Sequence, residues 1–335
     1  MQNREKNLLK ILITGIGGFV GKHLTSYLVR EESERENHKI LGVDINLEGF
    51  NLDDYGVYSR NIELEKVDLT DREKVFDVIK RFEPDHLYHL AAQSSVSYSW
   101  ENPIETFRVN VFGGVNILEG VRAFCPECSV LMACTAEEYG EVDSKDESEP
   151  INENFKIYPQ NPYAISKSAL DFFSSVYSVA YGLPVFISRS FNHIGPGQSE
   201  IFVASDFARQ IALIDRGMQE PVIRAGNIEC YRDFLDVRDA VKAYFYIINR
   251  GNKGQAYNVC SGEKTKISDL LDILISLSET QNIRIETDSA KLRAIDVKVI
   301  YGDNSKLRTH TGWSPEYSLK KSLEDTLGYW KKKIG

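Results

Sequence analysis

Apolar positions along this chain fall into two alternating rhythms. Short runs rich in β-branched residues, at Ile11–Thr14, Lys39–Asp44, Ile62–Val67, His86–Leu90, Val130–Cys134, Val185–Ser190 and Ala256–Val259, predict strands. Between them apolar residues recur at helical spacing, as Val20, Leu24, Tyr27 and Leu28 do. This spacing predicts helices at about 71–82, 104–124, 161–181, 203–216, 237–249, 267–278 and 318–332. Alternation on this scale predicts an α/β fold, a parallel sheet with helices on both faces. Beyond residue 190 the regularity breaks into glycine, proline and arginine clusters between shorter elements. The pattern therefore predicts a main domain over 1–190 with a return segment at about 233–261, the strand near 257 rejoining the sheet. Residues 191–232 and 262–335 are expected to form a smaller lobe.

The first strand and the first helix are joined by Gly15-Ile16-Gly17-Gly18-Phe19-Val20-Gly21. Glycines in such a loop let backbone N–H groups approach a pyrophosphate at the positive end of a helix. Taken alone, the loop also fits a tight strand-to-helix turn. Asp44 closes the second strand roughly 20 residues past the glycines, where an acceptor for a ribose 2′-hydroxyl belongs. A carboxylate there repels a 2′-phosphate, which favours NAD(H) and leaves NADP(H) possible; Asp44 as a turn cap is the plainer alternative. Asp68, with Leu69 beside it, follows the third strand in position to meet an adenine edge. Leu90-Ala91-Ala92 ends the fourth with small residues against which a cofactor can lie close to the backbone.

Composition narrows the partners. The 335 residues suit one large domain or two closely associated lobes. Forty basic against 49 acidic residues give a formal charge of −9, which argues against a nucleic-acid partner held by a basic surface but leaves room for a local basic pocket. No apolar run approaches the roughly 20 residues of a membrane span. The polar opening Met1–Lys6 lacks the apolar segment of a signal peptide, so a cytoplasmic location is expected. Of five cysteines, Cys125-Pro126-Glu127-Cys128 has the spacing of half a zinc site, with no second Cys or His pair at a matching distance. It reads as two reduced thiols at a helix end, and no metal site is expected.

Tyr163 and Lys167, in Asn161-Pro162-Tyr163-Ala164-Ile165-Ser166-Lys167, stand four residues apart on a predicted helix and so share a face. An ammonium held against a phenol favours the phenolate, so Tyr163 can titrate well below the ordinary value of about 10. Such a tyrosine can pass a proton to or from a sugar hydroxyl while a hydride moves. The same spacing occurs in helices without this chemistry; its weight comes from the glycine loop upstream.

Read together, Thr14–Gly21, Leu90–Ala92, Thr135-Ala136-Glu137-Glu138-Tyr139-Gly140 and Asn161–Lys167 resemble the extended short-chain dehydrogenase/reductases, in the branch acting on nucleotide sugars. The likeness runs from Ile11 to about Tyr329. It implies a Rossmann-type doubly wound parallel sheet with a smaller C-terminal α/β substrate-binding lobe. It also implies a catalytic set of Thr135, Tyr163 and Lys167, with Lys167 binding the nicotinamide ribose as well. Glu137 matches the acid that takes the proton at carbon 5 in the family's dehydratases, and reductases carry an acid in this stretch too. Downstream, Phe191–Gln198, Tyr231–Val237 and Tyr257–Gly262 resemble the members that reduce GDP-4-keto-6-deoxy-D-mannose to GDP-D-rhamnose with NAD(P)H.

A 4,6-dehydratase of the GDP-mannose type, or a 4-epimerase that recycles its cofactor, is the alternative. Ala136 departs from the Asp of dTDP-glucose dehydratases, and Leu292–Val297 departs from the Arg-Pro-x-Glu-Val of the dehydratases. Arg232 and Arg293, with Asn192 and Val203, are the residues the resemblance places on the substrate, the arginines because their planar fork suits diphosphate oxygens. The predicted helices at about 104–124 and 161–181 correspond to those that pair across a two-fold axis in the family, implying a homodimer. A non-catalytic nucleotide sensor on the same fold is a third reading, against which the intact Thr135, Tyr163 and Lys167 set argues.

Overall fold

The computed structural model describes residues 8–30, 38–141, 149–292 and 297–335. Six early strands, β1 (Leu9–Thr14), β2 (His38–Asp44), β3 (Ile62–Lys66), β4 (His86–His89), β5 (Ser129–Thr135) and β6 (Val185–Ser190), combine with a late one, Ala256–Val259. They form one sheet in the order Ala256–Val259, β6, β5, β4, β1, β2, β3, and every pairing is parallel. The late strand does rejoin the sheet, with Tyr257 opposite Ser188 on β6. Because all strands run the same way, their C-terminal ends, among them Thr14, Asp44, His89, Thr135 and Ser190, share one edge. Ligands of open parallel sheets bind at that edge.

Side chains alternate across a strand, so β1 feeds both layers. Ile11 and Ile13 join the core under α1 (Phe19–Arg30) and the helix Val237–Arg250; Leu12 joins the core under α2 (Arg72–Phe82), Gly113–Phe124 and Pro162–Tyr181. Burying such a side chain fully contributes about 1.5–3 kcal/mol, which fixes the register of each strand. Leu307 and Trp313, from late in the chain, also pack into the first of these cores. A third core gathers the helices Val203–Asp215, Ile267–Ser276 and Leu319–Ile334 around Ile223 and Phe234.

One element differs from its sequence expectation. The helix anticipated at 104–124 is built as Pro103–Phe107, a single wide turn at Arg108–Phe112 with i→i+5 bonding, and Gly113–Phe124, preceded by a separate short helix, Val96–Glu101. Asn110 explains the wide turn in part. Its buried amide donates to Ser166 Oγ at 2.9 Å and to the Gln93 carbonyl at 3.0 Å, and its oxygen accepts from Gln93 N at 2.8 Å. Such turns collect near functional sites, and Gln93 lines the cleft described below. A further helix, Ser305–Thr311, and the short strands of the lobe carry too few periodic residues to be read from sequence.

In the lobe, Asp215 ties two helices together. Its carboxylate forms an ion pair with Lys331 Nζ at 2.8 Å and accepts from the backbone N–H groups of Glu279 and Thr280 at 3.1 Å. Burial would raise its pKa, but the Lys331 ammonium, Ser278 and these amides together hold it at about 2. With the folded value below the ordinary 3.8, this tie contributes fully above that pH and is lost as pH falls through about 2. Asp215→Asn is therefore expected to flatten the acid limb of stability in a pH series of chemical denaturation. An unchanged acid limb would contradict the tie.

Candidate active site

At the C-terminal edge of the sheet lies a cleft of about 1360 Å³ that runs from the glycine turn to the lobe. The cradle at one end follows from the sequence. Gly15 has φ +74° and lies against β4's extension, where a Cβ would come within 2.7 Å of Ala91 N. A Cβ on Gly17 would come within 2.7 Å of the Asn46 carbonyl and 3.1 Å of Asp44 Oδ2, and one on Gly21 would strike the Gly15 carbonyl. Only bare backbone fits. The opening amides of α1 then face the cleft with no intrahelical acceptor, and Gly15, Gly17, Gly18, Phe19, Val20 and Gly21 all line it.

Asp44 stands at the rim of this cradle. Its Oδ2 accepts from Gly17 N at 3.0 Å and its Oδ1 from Asn46 N at 3.1 Å, so the carboxylate is fixed in place. Asp68 and Leu69 line the same wall. Partial burial works to raise the Asp68 carboxyl, but hydrogen bonds from Thr70 and the nearby Arg108 and Lys74 hold it below the usual range. Leu90, Ala91 and Ala92 also line the cleft, Leu90 and Ala91 lying against the glycine turn. Beneath them lies a residue the sequence reading missed. His89 is fully buried, its Nδ1 is 2.9 Å from Thr14 Oγ1, and the same oxygen accepts from Ala91 N at 3.3 Å. Desolvation, with repulsion from Lys167 second, pushes His89 down to about 3, so it serves as a neutral strut between β1 and β4.

The same cleft holds the reacting candidates. Asn161 caps the helix Pro162–Tyr181, its Oδ1 accepting from Ala164 N at 2.8 Å, and Pro162 occupies the first turn. This start sets Tyr163 and Lys167 on the face turned to β5, where Thr135 ends the strand. The Tyr163 and Thr135 side chains neighbour each other in the cleft lining. Lys167, 3% exposed, donates from Nζ to the Ala133 carbonyl at 2.7 Å. Glu137 lines the cleft beside them and accepts from Asn161 Nδ2 at 3.2 Å.

The expectation that Lys167 acidifies Tyr163 is not what these residues do. Desolvation pushes the phenol upward; the Thr135 side chain opposes it, and Glu137, Glu138 and Cys134 add to the rise. Lys167 is itself pulled down by burial, against the opposing pull of Cys134 and Glu138. The spacing was read correctly, but not the dielectric: a cleft wall penalises both charged forms at once. Burial thus favours the protonated phenol at neutral pH.

Towards the lobe, Asn192, Val203 and Arg232 line the cleft. Arg232 is 6% exposed and donates from Nη1 to the Tyr231 carbonyl at 2.8 Å. Asn192 already gives one amide hydrogen to the Asp233 carbonyl at 3.1 Å, so its reach towards a diphosphate is narrower than the sequence suggested. Arg293 lies outside the described residues. His193 also lines the cleft; its Nε2 is 3.0 Å from the Tyr244 hydroxyl, which is 2.7 Å from Ser190 Oγ. Desolvation pushes it to about 4, so it is neutral.

This arrangement resembles known proteins over nearly its whole length. A family model described as GDP-mannose 4,6 dehydratase matches residues 12–326. The GDP-6-deoxy-D-mannose reductase of Pseudomonas aeruginosa is 32% identical over 325 residues, covering 97% of this chain and 98% of that one. The structure of RMD from Pseudomonas aeruginosa complexed with NADPH is similar with a TM-score of 0.82 at 31% identity, over 97% and 99% of the two chains. UDP-glucose 4-epimerase of Thermus thermophilus, solved as a complex with NAD, is similar with a TM-score of 0.81 at 27% identity, over 96% and 99%.

Proposed function

The chain belongs to the GDP-mannose 4,6-dehydratase family of extended short-chain dehydrogenase/reductases, and on that premise we propose that it reduces the 4-keto group of a GDP-linked 6-deoxyhexose. The observation that carries the proposal is that Thr135, Tyr163 and Lys167 line the same cleft as the glycine cradle. A reduced nicotinamide held in the cradle would supply the hydride. Gly15, Gly17 and Gly18 would leave room for its diphosphate, and Lys167 would hold its ribose. Thr135 orients the sugar carbonyl, and the protonated Tyr163 gives its proton to the oxygen at carbon 4 as negative charge gathers there. Arg232 anchors the substrate diphosphate. Incubation with GDP-4-keto-6-deoxy-D-mannose should oxidise reduced cofactor mole for mole, and no net oxidation would reject the reading.

A second reading, the 4,6-dehydratase, is favoured by Glu137, which sits in the cleft two residues from Thr135. Consumption of GDP-mannose with no net change in cofactor would support it instead.

NAD(H) is the preferred cofactor in this account. Asp44 is fixed by two backbone amides at the ribose end and Glu48 lies nearby in the same wall, so a 2′-phosphate would meet negative charge. Asp44→Ser is expected to shift the NADPH-to-NADH ratio of kcat/KM towards NADPH by about tenfold or more. A wild-type enzyme that already prefers NADPH would overturn this part.

A homodimer completes the proposal. Ile165, Phe172, Val176 and Val179 are exposed along one face of Pro162–Tyr181, an apolar stripe suited to a second copy of the same helix. Phe172→Asp should lower the mass seen by light scattering to that of one chain; a wild-type protein already monomeric would contradict the pairing.

A further inference from the structure

Behind Thr135 lies a buried charged cluster that the proposed chemistry does not use. Glu138, on the turn after β5, is 0% exposed. Its Oε1 accepts the Thr135 backbone N–H at 3.1 Å, while Thr135 Oγ1 accepts from Glu137 N at 3.3 Å. This is a capping box at the point where the chain leaves the sheet. On the helix one turn past Lys167, Asp171 receives both Arg189 Nε at 2.9 Å and Arg189 Nη2 at 3.3 Å. Nη1 of Arg189 is given to the Tyr139 hydroxyl at 3.2 Å and the Glu153 carbonyl at 3.3 Å. The guanidinium is thus committed, and Glu138 Oε2 comes only within 3.8 Å of Arg189 Nε, with no hydrogen-bond partner among the described residues.

An ionised carboxylate with one neutral hydrogen bond, whose nearest cation is 3.8 Å away and already hydrogen-bonded to Asp171, is costly to bury. Cys134 Sγ, Glu138 and Asp171 offer oxygen and sulfur atoms within 4.8 Å of one another, but Arg189 already supplies the cation there. We propose, on the strength of Thr135's role in the proposed reaction, that Glu138 is a positioning residue that works as a neutral carboxylic acid. It pins the backbone of Thr135 without setting a negative charge beside Tyr163 and Lys167. The groups facing it are Cys134 and Thr135 from β5, Tyr139 from its own turn, Tyr163, Lys167 and Asp171 from the helix, and Arg189 from β6. Burial first and Asp171 second push the Glu138 carboxyl up, while the Thr135 amide, Arg189 and Lys167 oppose the rise.

Glutamine is the neutral isostere of a protonated glutamate, and leucine removes the acceptor. Glu138→Gln is expected to keep kcat within about threefold of wild type with a superimposable pH profile of kcat/KM. Glu138→Leu should lower kcat by about tenfold or more with KM nearly unchanged, because only the geometry of Thr135 is lost. If the glutamine variant is as impaired as the leucine one, the charge matters and the neutral-acid assignment falls; a fully active leucine variant sinks the positioning role. Infrared difference spectroscopy of the wild type against Glu138→Gln gives a readout free of turnover and of folding in the leucine variant. A protonated-carboxyl C=O band present only in the wild type supports the proposal whatever the substrate proves to be, and its absence overturns it.

Discussion

Tyr163→Phe is expected to lower turnover by about 10²–10⁴-fold, the usual contribution of a positioned proton donor, with cofactor affinity held within about threefold. The ring still fills its place against Thr135 in this variant; only the proton is gone. Because desolvation raises the phenol pKa, the wild-type rate should fall only on the alkaline side, as the donor is lost. Steady-state rates across pH, together with fluorescence titration of the reduced cofactor, check both halves. A phenylalanine variant of undiminished turnover would remove Tyr163 from the chemistry, even with the cleft otherwise as described.

The second large effect concerns stability. Arg189→Met is expected to destabilise the protein by about 3–5 kcal/mol, because Asp171 is left buried with no cation in contact. For a chain of this size that corresponds to a Tm lowered by roughly 4–7 °C. The pair is 9% and 2% exposed, so solvent offers little relief. Arg189 faces Cys134 across the β5–β6 register, and Glu138 abuts the same group, so the loss should also appear as weakened activity before unfolding. Differential scanning calorimetry with parallel activity measurements reads both. A melting temperature within error of wild type would mean that Asp171 takes up a proton without penalty.

What the sequence made legible were features carried by spacing along one stretch of chain. The glycine turn, the acid ending β2 and the Tyr163–Lys167 pair each lie within a single strand, loop or helix, where 3.6- and two-residue periods place side chains directly. Groups assembled from distant segments were not legible. His89 meets Thr14, and Arg189 meets Asp171, only because β1 pairs with β4 and β6 lies beside the helix Pro162–Tyr181. Glu138 was within reach, since Thr135-x-x-Glu138 is the capping-box spacing, yet it was hidden by its neighbour. Glu137 turns to the cleft and Glu138 to the core, and composition does not tell two adjacent glutamates apart. The protonation of Tyr163 was misjudged for a related reason, because burial is a property of the assembled walls rather than of a helical interval.

In the proposed reaction hydride and proton both end on the sugar, the proton coming from Tyr163. Reduced cofactor carrying deuterium at the transferable position of the nicotinamide, mixed with GDP-4-keto-6-deoxy-D-mannose, should yield one equivalent of oxidised cofactor and a product carrying deuterium at carbon 4 of the hexose. Deuterium still on the cofactor, with an unlabelled sugar released, would contradict it.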